Sequence, residues 1–395
     1  MENAIDIYEL CKEMVTRSAS DLYLTVARPP MFRVNSTLQE GSGENFKPQE
    51  LELLVKSFIS DAQWAEFAAN NELNLAIAVP NVSRFRVNAY RQRGSVGMVV
   101  RRISVEIPTI ESLGLPQTLR DIARLKRGLV LVVGGTGSGK STTLATMIDY
   151  RNTHDFGHIL TVEDPIEYVH RHKKSIVTQR EVGFDTKSYD SALENALRQA
   201  PDVILIGEIR RAETMEAAIT FADTGHLCVG TLHSTNANQS FERILNFFPP
   251  TKHSQVLLQL SLNLRAIIAQ RLLPSTVGGR IPAVEVLIDT PFVKELVKKG
   301  DVDELKAAME QGIHEGCQTF DQALFSLYRD GKIRLEEALA NADSANNLRL
   351  KVKLAGLTAD EEDQSRIFSE QRPQAQSNHE ALLSTGNFRI AETKR

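Results

Sequence analysis

The sequence predicts an α/β protein. A small α+β unit with a mostly antiparallel sheet is followed by a larger unit, whose parallel sheet is covered by helices on both faces. Three observations predict this. Leu129–Val133, His158–Val162, Val203–Ile206 and Leu227–Thr231 are short apolar runs separated by helical patterns, which is how strands buried on both faces read. The first 105 residues instead place short helices around extended segments. Where the first buried strand meets its helix stands VLVVGGTGSGKSTT, residues 130–143, a glycine-rich turn able to curl around an anion.

Composition narrows the class. A chain of 395 residues suggests two or three domains, and 42% hydrophobic with 24% charged residues is ordinary for a soluble globular protein. A net charge of −4 argues against a nucleic-acid binder. No apolar run approaches the ~20 residues of a membrane span. The start, MENAIDIYELCKEM, lacks the basic region and apolar core of a signal peptide. Cys11, Cys228 and Cys317 are far apart, with no C-x-x-C pair. That fits a reducing cytosol and argues against structural zinc.

The elements follow in order. Ile7, Leu10, Cys11, Met14 and Val15 repeat at helical spacing, and Ser20–Val26 reads as a strand broken by Pro29-Pro30 and resumed at Met31–Val34. Leu51, Leu54, Val55 and Phe58 mark a helix opened by Pro48, and Trp64 and Phe67 mark another. Leu73–Val79, Ser83–Tyr90 and Gly97–Ile103 read as strands that close a domain at residues 1–105. These strands carry Arg84, Arg86, Arg91, Arg93, Arg101 and Arg102. Such a cluster is either a solvated face or a set of forks that reach the triphosphate of an adjacent subunit. Residues 106–117, with Pro108 and Gly114, form a linker, and Thr118–Lys126 is a helix with Thr118 as its cap. A parallel-sheet core of RecA-like type spans 118–290. It includes helices at Lys140–Arg151, Ser188–Gln199 and Glu213–Ala222 and a long helix at His253–Leu273. Helices at Phe292–Lys299, Asp303–Gln311, Phe320–Tyr328 and Leu335–Ala340 form a helical subdomain over 291–345. Residues 346–395 read as a flexible tail, with Ala381–Leu383 and the pair Phe388/Ile390 as possible short docking elements.

The chemistry centres on the glycine-rich turn. It matches G-x-x-x-x-G-K-[ST], with Gly134, Gly139, Lys140 and Ser141 in the fixed positions. Gly135, Thr136, Gly137, Ser138 and Thr142 complete the nucleotide-binding stretch. Its N–H groups and the helix that follows are expected to hold a β-phosphate. Lys140 is expected to bridge the β- and γ-phosphates, and Ser141 to place its hydroxyl on Mg²⁺. The run VILIGE, ending at Glu208, has the Walker-B pattern, so Glu208 is expected to hold Mg²⁺ through water. HILTVED ends a second buried strand at Glu163 and Asp164, and Glu163 is expected to orient or deprotonate water. Either glutamate fits either role. His233 follows the strand Leu227–Thr231 and is placed to sense the γ-phosphate, whereas His226 precedes that strand.

Four segments carry a resemblance. GGTGSGKST at 134–142, VEDPIEYVH at 162–170, DVILIGEIR at 202–210 and TGHLCVGTLH at 224–233 are similar to the Walker A, aspartate, Walker B and histidine boxes of the secretion ATPases. Over residues 1–345 the chain resembles the type IV pilus retraction ATPases, the PilT/PilU family. SRFRVNAYRQRG at 83–94 and SLNLRAIIAQRLL at 261–273 add to the match. The resemblance implies a cytoplasmic homohexamer at the inner-membrane base of the pilus, with a PAS-like first domain and a RecA-like second one. It implies ATP in the cleft between them, completed by Arg84, Arg86 and Arg102, and hydrolysis that moves an inner-membrane platform protein to retract the pilus and drive twitching motility. Gly135 replaces a usual proline, Ala200 and Arg211 replace usual aspartates, and FVKELVKKG at 292–300 stands where the family carries AIRNLIREG. These departures and the tail point to the PilU-like branch, an accessory ATPase working beside a PilT-like paralogue. The alternatives are an ATP-binding adaptor with little hydrolysis of its own, or a pilus-assembly or type II secretion ATPase. The assembly class usually has a tetracysteine insert and a larger N-terminal region, both missing here. A nucleic-acid motor is disfavoured by charge, and a GTPase by the lack of N-K-x-D.

Overall fold

The computed structural model describes residues 6–35, 37–80, 82–103 and 106–357. The chain opens with α1 (Ile7–Thr16), capped by Asp6, which accepts from the Tyr8 N–H. Strands β1 (Asp21–Leu24), β2 (Met31–Val34) and β3 (Thr37–Glu40) follow, then α2 (Pro48–Phe58) and α3 (Asp61–Asn70). The sheet is completed by β4 (Glu72–Val79), β5 (Ser83–Gln92) and β6 (Ser95–Arg102). Among the described residues it has six antiparallel strands in the order β3-β2-β1-β6-β5-β4. Alternation decides its faces: Leu73, Leu75, Ile77 and Val79 on β4, with Phe85, Val87 and Ala89 on β5, enter one core with Leu10 and Met14 of α1 and Leu51 of α2. Arg84 and Arg86 therefore project from the opposite face of β5.

Residues 106–117 form neither helix nor strand, yet they are anchored: Ile110 and Leu115 are buried, and Pro108 O accepts from Thr146 Oγ1. The second sheet begins after α4 (Thr118–Ala123), where Gln117, not Thr118, occupies the cap position. It contains β7 (Gly128–Val133), β8 (Gly157–Glu163), β9 (Ser175–Glu181), β10 (Val203–Ile206), β11 (Leu227–Leu232), β12 (Leu264–Pro274) and β13 (Arg280–Ile288). Between these run α5 (Lys140–His154), α6 (Tyr189–Ala196), α7 (Ala212–Asp223), α8 (Ala237–Leu245) and α9 (His253–Asn263). Among the described residues the order is β13-β12-β7-β11-β10-β8-β9, parallel throughout except where β13 meets β12. The two-residue period divides its core. Val130 and Val132 face α5 with Leu144, Met147 and Ile148, while Leu129, Leu131 and Val133 face the side of α7 and α8 with Met215 and Phe241.

The long helix expected at 253–273 is not formed. Helix α9 ends at Asn263, and Leu264 turns into extended backbone as the first residue of β12. The run LRAIIAQRLL has apolar residues that suit either period. Tertiary pairing decides: β12 covers the edge of β7 in parallel and β13 in antiparallel register, which buries Ile267, Ile268 and Ala269 completely. The short strands β3 and β9 and the return strand β13 are further elements the periodicity did not reveal.

The C-terminal helices are α10 (Pro291–Lys299), α11 (Leu305–Gln311), α12 (Phe320–Arg329), α13 (Leu335–Ala340) and α14 (Ala345–Leu354). The last corrects the expected start of the tail at 346. Leu348 and Val352, one turn apart, are buried, and α14 packs on α12 and α13. The expected tail beyond 357, with Ala381–Leu383 and Phe388/Ile390, lies outside the described residues. Among the described residues no helix is long and apolar enough to cross a membrane.

Because β12 is paired on both sides and Ile268 is fully buried, Ile268→Ala is expected to cost about 2–5 kcal/mol, the range for truncating a fully buried aliphatic side chain. Urea unfolding of wild type and variant measures it, and a loss below about 1 kcal/mol would contradict the burial described.

Candidate functional site

The turn after β7 holds its shape for local steric reasons. Gly139 caps α5 with φ +89°, and a Cβ there would lie 2.8 Å from Gln270 Nε2. A Cβ on Gly134 would lie 2.6 Å from the Gln270 carbonyl oxygen and would also strike Ser138 Oγ. Gly137 has φ +76°. Gly135 differs: a Cβ there meets nothing within 4 Å, and its φ is not in the left-handed region. The fold thus does not require glycine at 135. Lys140 Nζ donates to the carbonyls of Gly134 (2.8 Å) and Gly135 (2.9 Å), and burial lowers its pKa.

Thr136, Gly137, Lys140 and Ser141 line a cavity of about 360 Å³. Glu163 from the end of β8, Glu208 just past β10 and His233 just past β11 line the same cavity. The strands are parallel, so their carboxyl ends share one edge, where such sheets bind ligands. Glu163 Oε1 accepts from Thr161 Oγ1 (2.7 Å) and Gln179 Nε2 (3.1 Å). Its carboxyl keeps an edge on the cavity but is otherwise walled in. That loss of hydration pushes its pKa up to about 7, against the two hydrogen bonds. Glu208 behaves oppositely. Burial resists its charge, but the hydrogen bond from Arg210 (2.6 Å) and the nearby His233 and Lys140 hold its pKa below the ordinary range. His233 Nε2 lies 3.0 Å from Glu208 Oε1. The two carboxyls thus stand in one cavity with pKa values pushed apart, the arrangement that assigns acid–base roles.

The remaining expected residues lie elsewhere. Gly134, Gly135 and Ser138 shape the loop behind the cavity. Gly139 and Thr142 border a second cavity of about 590 Å³, together with Gln270 and Leu272. Arg84, Arg86 and Arg102 line neither cavity; Arg86 Nε is 3.9 Å from Glu181 Oε1, and Arg102 Nε is buried with no hydrogen-bond partner among the described residues. His226 Nδ1 sits 3.2 Å from Thr224 Oγ1 at the opposite end of β11. Sequence reasoning did not find Gln179, which lies on the unforeseen β9, or Tyr189. The Tyr189 hydroxyl packs against Gly207, and its pKa is pushed up by burial and by Asp164, Glu163 and Glu208, against hydrogen bonding from the Glu208 backbone. Arg210 was within reach, since it follows Glu208 by two residues.

The raised pKa of Glu163 makes a stability prediction. The folded state holds the proton up to about pH 7 and the unfolded chain only to about 4.5, so this group's stabilisation is present below pH 4.5 and is lost as pH rises through 7. Glu163→Gln removes that loss and keeps an acceptor for Thr161. The variant is expected to gain more thermal stability over wild type at pH 8 than at pH 5. Equal gains at both pH values would contradict the assignment.

The chain was compared with known proteins. The family model described as "Type II/IV secretion system protein" matches residues 3–372. The "Type IV pilus ATPase PilU" of Pseudomonas aeruginosa is 52% identical over 351 residues, covering 89% of this chain and 92% of that protein. The "Type IV pilus retractation ATPase PilT" of the same organism is 40% identical over 343 residues, covering 87% of this chain and all of that protein. Among solved structures, the pilus retraction motor PilT with bound ADP superposes with a TM-score of 0.80 at 42% identity, covering 86% of this chain and 98% of that one. The chain therefore belongs to the type II/IV secretion system protein family and, within it, to the PilT/PilU group of type IV pilus ATPases.

Proposed function

We infer that this chain is an ATPase of type IV pilus retraction, most like the PilU branch, converting ATP and water to ADP and phosphate. The observation that carries the reading is that Lys140, Ser141, Glu163, Glu208 and His233 line one cavity. It is supported by a solved relative, 42% identical, that is a pilus retraction motor with bound ADP. Greater identity to PilU than to PilT of one organism favours the accessory branch.

In this reading the backbone of residues 134–142 and the start of α5 hold the phosphates, and Lys140 leaves the loop carbonyls for the β- and γ-oxygens. Glu163, ionised near neutral pH yet poorly hydrated, takes the proton of the attacking water. His233 and Arg210 fix the orientation of Glu208, and His233 reports the γ-phosphate to that carboxylate. Ser141 and Glu208 supply hard oxygen donors in one cavity, a set that fits Mg²⁺, which when bound neutralises charge on the β- and γ-oxygens.

The wider architecture belongs to the same proposal. Residues 1–105 are a PAS-like domain, 106–117 a linker, 118–290 a RecA-like P-loop core and 291–357 a helical subdomain. The chain assembles as a hexamer in which Arg84, Arg86 and Arg102 of one protomer reach the nucleotide of the next. The ring is cytoplasmic at the inner-membrane base of the pilus, where it acts on the platform protein beside a PilT-like paralogue.

Lys140→Ala tests the reading. We expect ATP turnover to fall by at least about 100-fold, with the mass of the assembly unchanged, and pilus retraction to fail where this subunit is required. Full retraction with the variant would replace the motor reading with that of an ATP-binding adaptor.

A further inference from the structure

We propose that Gln270 is a positioning residue for nucleotide binding, holding the phosphate loop and the first turn of α5 as one rigid cradle. The proposal rests on the reading above that this loop takes a nucleotide, and adds a residue outside the loop, the acidic strand ends and the arginines.

Gln270 lies on β12, one residue past Ala269, which pairs with Val133, the last residue before the loop. Its side chain is buried, and both ends of its amide are engaged. Nε2 donates to the Ser138 carbonyl oxygen at 2.8 Å, and Oε1 accepts from Thr143 Oγ1 at 2.6 Å. One planar amide thus ties the end of the loop to the first turn of the helix, 132 and 127 residues away in sequence.

The consequence for a phosphate follows from peptide geometry. The Ser138–Gly139 bond is trans, so its carbonyl oxygen and the Gly139 N–H point in opposite directions. With the oxygen drawn toward Gln270, the N–H is aimed away from β12, to the side where the phosphate sits in this reading. The Thr143 bond holds the start of α5, whose exposed N–H groups and dipole favour the same anion. Affinity comes from such preorganisation, since an unheld loop must be ordered each time a ligand binds.

Two loop glycines show how closely residue 270 approaches. The Gly134 Cα faces the Gln270 carbonyl oxygen, and the Gly139 Cα faces its Nε2, each too near to admit a Cβ. Residue 270 thus sets part of the loop's glycine requirement as well as its orientation.

The test is the affinity of the full-length chain for Mg-ADP, read by calorimetry, with the melting temperature of the nucleotide-free protein measured alongside. Gln270→Met keeps the volume and removes both hydrogen bonds. We expect it to weaken Mg-ADP binding about tenfold or more. Thr143→Val removes one of the two bonds and should weaken binding several-fold. Adding it to Gln270→Met should cost little further, because the bond it removes is already gone. A purely structural glutamine predicts otherwise: a lower melting temperature with wild-type affinity for Mg-ADP. Wild-type affinity in Gln270→Met, or fully additive losses in the double variant, would overturn the proposal. If Gln270→Met does not fold, wild-type affinity in Thr143→Val would do so alone. A wild-type chain that binds no Mg-ADP would remove the underlying reading instead.

Discussion

Parallel pairing of β7, β11, β10 and β8 fixes where each reactive side chain stands. Val133 lies beside Leu232, Ile206 beside both Gly230 and Val162, and the chain leaves each strand at about the same level. The phosphate loop, His233, Glu208 and Glu163 are the residues met on leaving. A one-residue slip of any of these strands would turn its side chains to the other face and carry its terminal group out of the cavity. The two apolar layers, one against α5 and one against α7 and α8, resist such a slip because the apolar residues of these strands alternate between them.

Polar groups buried beside this sheet act at a distance from the chemistry. Gln270 holds the loop from β12. Glu285, its near neighbour on β13, accepts from the Ala237 N–H at 2.8 Å and so caps the helix that follows His233. Burial pushes the Glu285 pKa up to about 7, against hydrogen bonding from Ala237. The β12–β13 hairpin thereby braces both the phosphate loop and the segment beyond His233. A carboxyl or amide withdrawn from water this way must keep its partners, or the unsatisfied group costs roughly 1–3 kcal/mol.

Much of this was legible in the sequence. The loop, the acids ending two apolar runs and the histidine ending a third were readable because short buried strands bounded by glycine and charge have few other interpretations. The first sheet was readable from alternation. What failed was local inference at 264–274, where the same apolar spacing serves helix and strand and only the open edge of β7 decides. That error hid Gln270, whose partners are more than 120 residues away. Gln179 was missed for a separate reason: β9 is recognisable only by its pairing with β8. Helix α14 was passed over because two buried residues, Leu348 and Val352, are too few to mark a period.

The central claim is that Glu163 is a carboxylate tuned by burial to act as a base in an ATP-hydrolysing cavity. The most direct measurement is kcat/KM for ATP hydrolysis by the purified chain as a function of pH, with Mg²⁺ in excess so that the nucleotide does not itself titrate in the window. The account predicts a rate that rises with a single ionisation near pH 7, where Glu163 loses its proton, and then levels off. A profile that is flat from about pH 5.5 to 8.5, or that falls across this range, would contradict it.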